Sequence, residues 1–537
     1  MKRRSTSERG LTKDETSCEF RIGWQMRAYC LLMITLLFSD VLQAQYRADR
    51  DKESRSVITR GNHQQLQTTG KSNYSFSRSI LGSNSSQGTF PGKYGDVRNE
   101  AAMVNKQYPW WGVALKVTGA NILTFAVDRY LLNYEYSRIG FNSWSDNLKN
   151  GWEWDVDRFG MNFIIHPYSG SVFYNAGRSS GYNFWESAPF AALGSLQWEY
   201  FGENTPPAYN DIVNTTINGI FLGEVAYRIG SHIIDDQSTG MERFAREFSV
   251  FLLSPTRTFS RLIEGNLFRV TSEGAGQKEP LNMTLSTGMR RVNEGPQGSS
   301  FWTGPTDFWV NVHLDNGNPF EVISRKPFDY FKVRISITKV SGRKILDNVT
   351  GYGLLFGKNL VPSGSMEILV GGFQHFNYFD NKTFELATIA FGPGIATKLP
   401  IGSTSILYTN LHIAVVPLAG NSTFYGPDTT QFRDYNYGGG AEAKLESTLN
   451  LGSWVSFTFI GYYFWVHTYV GHTGDHLIGL VKPRVTLRLF SNLSIGVEHS
   501  AYYSDRYTND YGNFHKVRTE QKVFLSLYLE SFKHGAE

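Results

Sequence analysis

The segment WEWDVDRFGMNFIIHPY places Asp155, Asp157, Asn162 and His166 within twelve positions. Oxygen donors and one imidazole so closely spaced could hold a divalent cation. The other reading is that one aspartate caps a helix while its neighbour is solvated. Neither an EF-hand glycine nor an HExxH spacing accompanies the four. A divalent cation is therefore the one cofactor the sequence raises.

Just downstream, HPYSGSVFYNAGRSSGYNFWESAPFAALGSLQWEYFGE carries Tyr168, Arg178, Ser187, Glu199 and Glu203 among small residues and rings. Glu199 and Glu203 are four apart and share a helix face, and Glu224 and Arg228 repeat that spacing. A carboxylate buried there, with His166, could act as general acid or base on a lipid or glycolipid. The competing reading is a buried Glu–Arg network closed by Arg178 or Arg228. Hydrolase patterns fail: there is no GxSxG elbow. The adjacent His499 and Ser500 must face opposite sides of a strand.

Those residues need helices to hold them. Apolar spacing predicts a long helix from PWWGVALKVTG onward, then helices at about 170–179, 184–202, 209–229 and 240–252. Ala188, Ala191, Ala192 and Ser195 allow close helix approach. Glu242/Arg246 and Arg243/Glu247 support the last helix, which Pro255 ends. From about Leu281 the period becomes two: in FKVRISIT, Phe331, Val333, Ile335 and Ile337 oppose Lys332, Arg334, Ser336 and Thr338. About twelve such segments follow through 532, most long enough for the ~9–11 tilted residues that cross a bilayer. His313 and His412 fall on the polar face, where they could line a lumen, and Pro393 and Pro483 predict local breaks. The fold class is α+β: a helical domain over 101–270, then an antiparallel transmembrane β-barrel of about twelve strands over 281–532. Such a barrel is too narrow to enclose the helices. They are expected below or beside it, facing the periplasm.

Residues 1–44 read as an N-terminal extension and signal peptide, with an apolar run at Ala28–Phe38 and a small residue at Ala44. Met26 fits as an alternative start. Residues 45–100 are polar without apolar period and read as a disordered linker. Both cysteines, Cys18 and Cys30, precede Ala44. A net charge of +4 over 537 residues gives no basis for nucleic-acid binding. The expected location is the cell outer membrane, with membrane lipid as partner and an envelope lipid, glycolipid or protein as ligand.

The run from HPYSGS to WEYFGE, with GEVAYRI and MERFAREFSVFLLSPTRTFSRLIEG, resembles domain-of-unknown-function family 3943, bacterial envelope proteins common in Bacteroidetes-type bacteria. The resemblance covers roughly 105–270 and implies a Gram-negative envelope protein. It transfers no activity.

Overall fold

The computed structural model describes residues 107–530, apart from 156, 272–279, 294–303, 323, 339–345, 361–364, 382, 423–434 and 510–511. The expected signal peptide and linker lie outside the described residues.

Among the described residues eight α-helices come first: α1 (Trp110–Ala126), α2 (Phe141–Lys149), α3 (His166–Arg178), α4 (Phe184–Phe201), α5 (Tyr209–Val213), α6 (Gly219–Ile233), α7 (Gly240–Leu253) and α8 (Pro255–Ile263). The predicted long first helix ends sooner, passing into a π-helical turn over Val127–Leu131. Two further π turns, Met161–Ile165 and Asn214–Asn218, lead into α3 and α6. Pro167 accounts for the first, because its ring and missing N–H break the regular ladder. Asn183 and Glu186 cap α4 reciprocally, each side chain accepting the other's backbone N–H. Glycines set the spacing where α3 crosses α6. A Cβ on Gly170 would lie 1.7 Å from the Thr215 carbonyl oxygen, and one on Gly219 2.6 Å from Gly170 Cα. Only glycine permits that crossing.

Twelve strands follow: β1 (Leu281–Val292), β2 (Thr306–Asn316), β3 (Phe331–Thr338), β4 (Leu346–Leu360), β5 (Glu367–Asp380), β6 (Glu385–Ile401), β7 (Ser405–Ser422), β8 (Asn436–Leu451), β9 (Val455–Val470), β10 (Gly474–Arg488), β11 (Leu493–Thr508) and β12 (Gly512–Glu530). Each pairs antiparallel with its neighbours, and β1 with β12 closes the barrel. Pro393 and Pro483 sit inside β6 and β10. Pairing lapses beside each on one flank only, between Phe391 and Gly394 towards β7 and between Val481 and Arg484 towards β11. Both prolines stay paired on the other flank, so they loosen the ladder without ending the strand.

Alternation sends polar side chains inward, where they meet across the barrel. Arg334 on β3 pairs with Glu446 on β8, and Tyr352 and Tyr462 donate to the same carboxylate. Asn377 on β5 donates to Glu442 at 2.8 Å and accepts from Lys444 at 2.8 Å, both on β8. Arg290 on β1 reaches Asp347 on β4 and Glu520 on β12, each at 3.2 Å. These strands are mostly far apart in the sheet order, so the bonds cross the interior. Twelve strands enclose more width than side chains fill in an eight-stranded barrel. Here long charged and aromatic residues fill it.

The helices lie against the outside of the wall. One hydrogen-bonded row runs Leu527, Leu285, Val312, Ile335, Val349, Tyr378, Ala387, Gly420 and Tyr437, one residue per strand from β12 through β1 to β8. Its apolar members share one cluster with Phe159, Phe163, Phe221, Val225, Ile229, Val250 and Leu253 of the helical unit. Elsewhere on the same outward face, Met289, Phe308, Ile413 and Val415 are exposed. Leu527 is near the end of β12 and Tyr437 near the start of β8, so the row climbs from one rim to the other. Strand spacings of about 4.8 Å at a tilt of about 40° give a climb of roughly 25 Å, the height of an outer-membrane apolar band. The helices are thus beside the barrel, along its wall, rather than in a layer below it.

Candidate functional site

The sequence-predicted residues form two separate groups. The first is centred on Glu224, buried at the α3–α6 contact. Arg178 grips it from Nε at 2.8 Å and Nη2 at 3.2 Å, Arg228 donates from Nε at 2.9 Å, and Tyr174 donates its hydroxyl at 2.8 Å. Burial works against the charge of Glu224, but the two guanidinium groups hold its pKa below the ordinary carboxylate value. Arg178 also donates to the Tyr182 carbonyl and stacks on the Tyr227 ring, which Arg257 covers as well. Both Glu224 oxygens are engaged, so the group is an ionic clamp. Of the two readings of these residues, the closed network is the one observed.

The clamp extends to the barrel. Arg228 Nη2 donates to the Pro327 carbonyl at 2.7 Å and to Asp329 Oδ1 at 3.2 Å, in the segment that enters β3. Phe328 turns outward between Phe184 and Phe221, at ring separations of 5.5 and 5.3 Å. Tyr330 turns inward, donates to Asn410 at 3.0 Å, and packs with Tyr352 and Phe373. Sequence reasoning missed Phe328, Asp329 and Tyr330. The available signal was glycine: a Cβ on Gly353 would lie 2.4 Å from the Phe328 ring, and interior strand glycines mark such approaches.

The second group surrounds His166, which follows one π turn and lies beside Thr215 of another. Its Nε2 lies 3.7 Å from Asp211 and 4.0 Å from Asp157, and its Nδ1 3.5 Å from Thr215 Oγ1. Burial opposes the imidazolium, yet Asp211, Asp157 and Glu199 raise the pKa of His166 to about 10. Burial likewise raises Glu199 to about 7 despite its bond from the Ala208 N–H at 2.8 Å. Asp211, which shares helical spacing with Asn214 and Asn218 in the sequence, joins this group. Glu203 stands beside this group, partly buried, with its carbonyl accepting from Asn147.

Asp155 and Asn162 have other work. Asp155 accepts from the Asp157 N–H at 2.9 Å and from Asn162 at 3.1 Å, and Asn162 reaches the Tyr435 and Tyr437 hydroxyls. Asp155 and Asn162 therefore close the loop against Tyr435 and Tyr437, at the start of β8. No group of three or more His, Asp or Glu suited to a metal occurs among the described residues. Tyr168 donates to the Leu252 carbonyl, and Ser187 is buried against Gly177, both apart from His166. In the barrel, His412 is buried inside against Tyr352. His499 is exposed on the outside while Ser500 is buried within.

Solved structures similar to part of the chain include a porin, an outer membrane channel and a toluene transporter. The NanC porin is 9% identical over 46% of this chain and 98% of its own, with a TM-score of 0.25. The outer membrane channel DcaP of Acinetobacter baumannii is 6% identical over 47% and 96%, at 0.20. The toluene transporter TodX of Pseudomonas putida is 5% identical over 47% and 88%, at 0.20. No curated protein matches the chain. Residues 151–256, from the approach to α3 as far as the start of α8, match the family described as Domain of unknown function (DUF3943).

Proposed function

We propose that this is a Gram-negative outer-membrane protein whose barrel is closed by its own side chains and whose helical unit governs that closure. Its role in the envelope is gating. The carrying observation is the Arg228–Asp329 ion pair at 3.2 Å, one residue from Tyr330 inside the barrel. A change in the helical unit would thereby reach the lumen through three consecutive residues. Planar-bilayer recording of the full chain tests this. The wild type stays closed, and Arg228→Ala gives openings; a steadily conducting wild type would end the proposal. Export by a signal peptide cleaved after Ala44 belongs to the same reading, and an N-terminal sequence beginning at Gln45 checks it.

A second reading, an envelope enzyme acting on lipid or glycolipid, has one observation in its favour. His166 stands between buried Asp211 and the half-exposed Asp157, at the seam with β8. Lipid profiles of strains carrying His166→Ala or Glu199→Gln separate the two readings. Unchanged profiles remove the enzyme.

A further inference from the structure

The outward face of the α7–α8 hairpin is apolar where that of a water-soluble bundle is charged. On α7, Met241, Phe244, Phe248 and Phe251 recur at helical spacing on one outward face, with Met241 79% and Phe244 63% exposed. The three phenyl rings stack in a ladder at 5.9 and 6.4 Å. The charges of the same hairpin point the other way. Arg243, Arg246 and Arg261 pair with Asp236, Glu242 and Glu247, and all six are largely buried. A soluble amphipathic helix buries its rings and exposes its ions. The apolar surface also continues onto α8 at Phe259, Leu262 and Ile263 and onto α1 at Trp111, Leu115 and Ile122.

We infer that this outward face of the helical unit is seated in the acyl chains of the membrane, as a lateral extension of the barrel's lipid-facing wall. Continuity identifies the occupant. The unit follows a row of wall residues from rim to rim, and the uncovered wall beside it exposes Ile413 and Val415. A layer fixed there shares the depth of the apolar band. No helix among the described residues is long and apolar enough to cross a membrane. None needs to, because the wall supports the unit sideways and the ions of the α7–α8 hairpin are paired internally.

The inference rests on the reading of the barrel as an outer-membrane protein, and the test separates the two. In the full chain with Cys18 and Cys30 replaced by serine, single cysteines at Phe244, Phe251, Val415 and Ser403 carry a nitroxide. Reconstitution is into phosphatidylethanolamine–phosphatidylglycerol vesicles. Collision with oxygen, which partitions into lipid, is compared with collision with a water-soluble nickel chelate. The expected oxygen-to-nickel ratio at 244 and 251 matches that at 415 and is several-fold above that at 403, in a hairpin turn. Water-like ratios at 244 and 251 with a lipid-like ratio at 415 overturn the inference alone. A water-like ratio at 415 overturns the barrel reading as well. Protection from both reagents with spin–spin broadening at 244 assigns the face to a second copy and also overturns it.

Discussion

Phe328 and Tyr330 stand two residues apart and end on opposite sides of the barrel wall, one in the helical cluster and the other in the lumen. Asp329 between them is held by Arg228. Phe328 has φ of 61°, in the left-handed region that bulky residues avoid at a cost of about 1–3 kcal/mol. Stacking on Phe184 and an edge-to-face contact with Phe221 offset that cost and fix the direction in which Tyr330 leaves.

Glu224→Gln leaves two arginines around a neutral amide. Removing one partner of a buried ion pair costs about 3–5 kcal/mol. Thermal unfolding followed by the helical circular-dichroism signal should shift down by several degrees. The heat-modifiable gel mobility of the barrel should not change.

Gly420→Leu places a side chain where Phe163 sits, since even a Cβ would come within 2.3 Å of that ring. The helical unit should lift from β7 and become sensitive to protease in intact vesicles, with the strands still protected. A corresponding change at Gly119, on the open face of α1, should leave digestion as in the wild type.

His166 titrates higher in the folded chain than its ordinary 6.5, at about 10. Its protonated form is favoured by folding, so its stabilisation is complete below 6.5 and is lost as pH rises through about 10. Helical-unit stability should therefore fall between those values in the wild type. His166→Gln should flatten that fall, as read by denaturant midpoints across the range.

Arg334→Ala strands Glu446 inside the barrel, in contact with Tyr352 and Tyr462. A loss of about 3–5 kcal/mol follows. A lower temperature for the heat-modifiable transition measures it. Arg334→Ala with Glu446→Leu should recover most of the loss.

Much of this was readable from residue order. Period two marks the inward polar face in FKVRISIT because pleated strands alternate strictly. Helical spacing likewise marks α4 and α7 to within a residue or two of their ends. The start of α3 was read four residues late, because the π turn before Pro167 carries no apolar period of its own. Alternation tells that Val312 and Tyr378 point outward, but it is blind to what covers them: lipid and a helix both accept apolar side chains. The split of His166 from Glu224 was equally hidden. Both lie on neighbouring helices, and only the crossing at Gly170 and Gly219 turns their side chains to different sites.

The central claim is that Arg228 acts on the lumen through Tyr330, and single-channel recording of a double-mutant cycle tests it most directly. Open probability is measured for the wild type, Arg228→Ala, Tyr330→Ala and the two combined. The account predicts a closed wild type, openings in each single variant, and a double variant no more open than Tyr330→Ala, because linked residues are not additive. Independent effects that multiply in the double variant would contradict it.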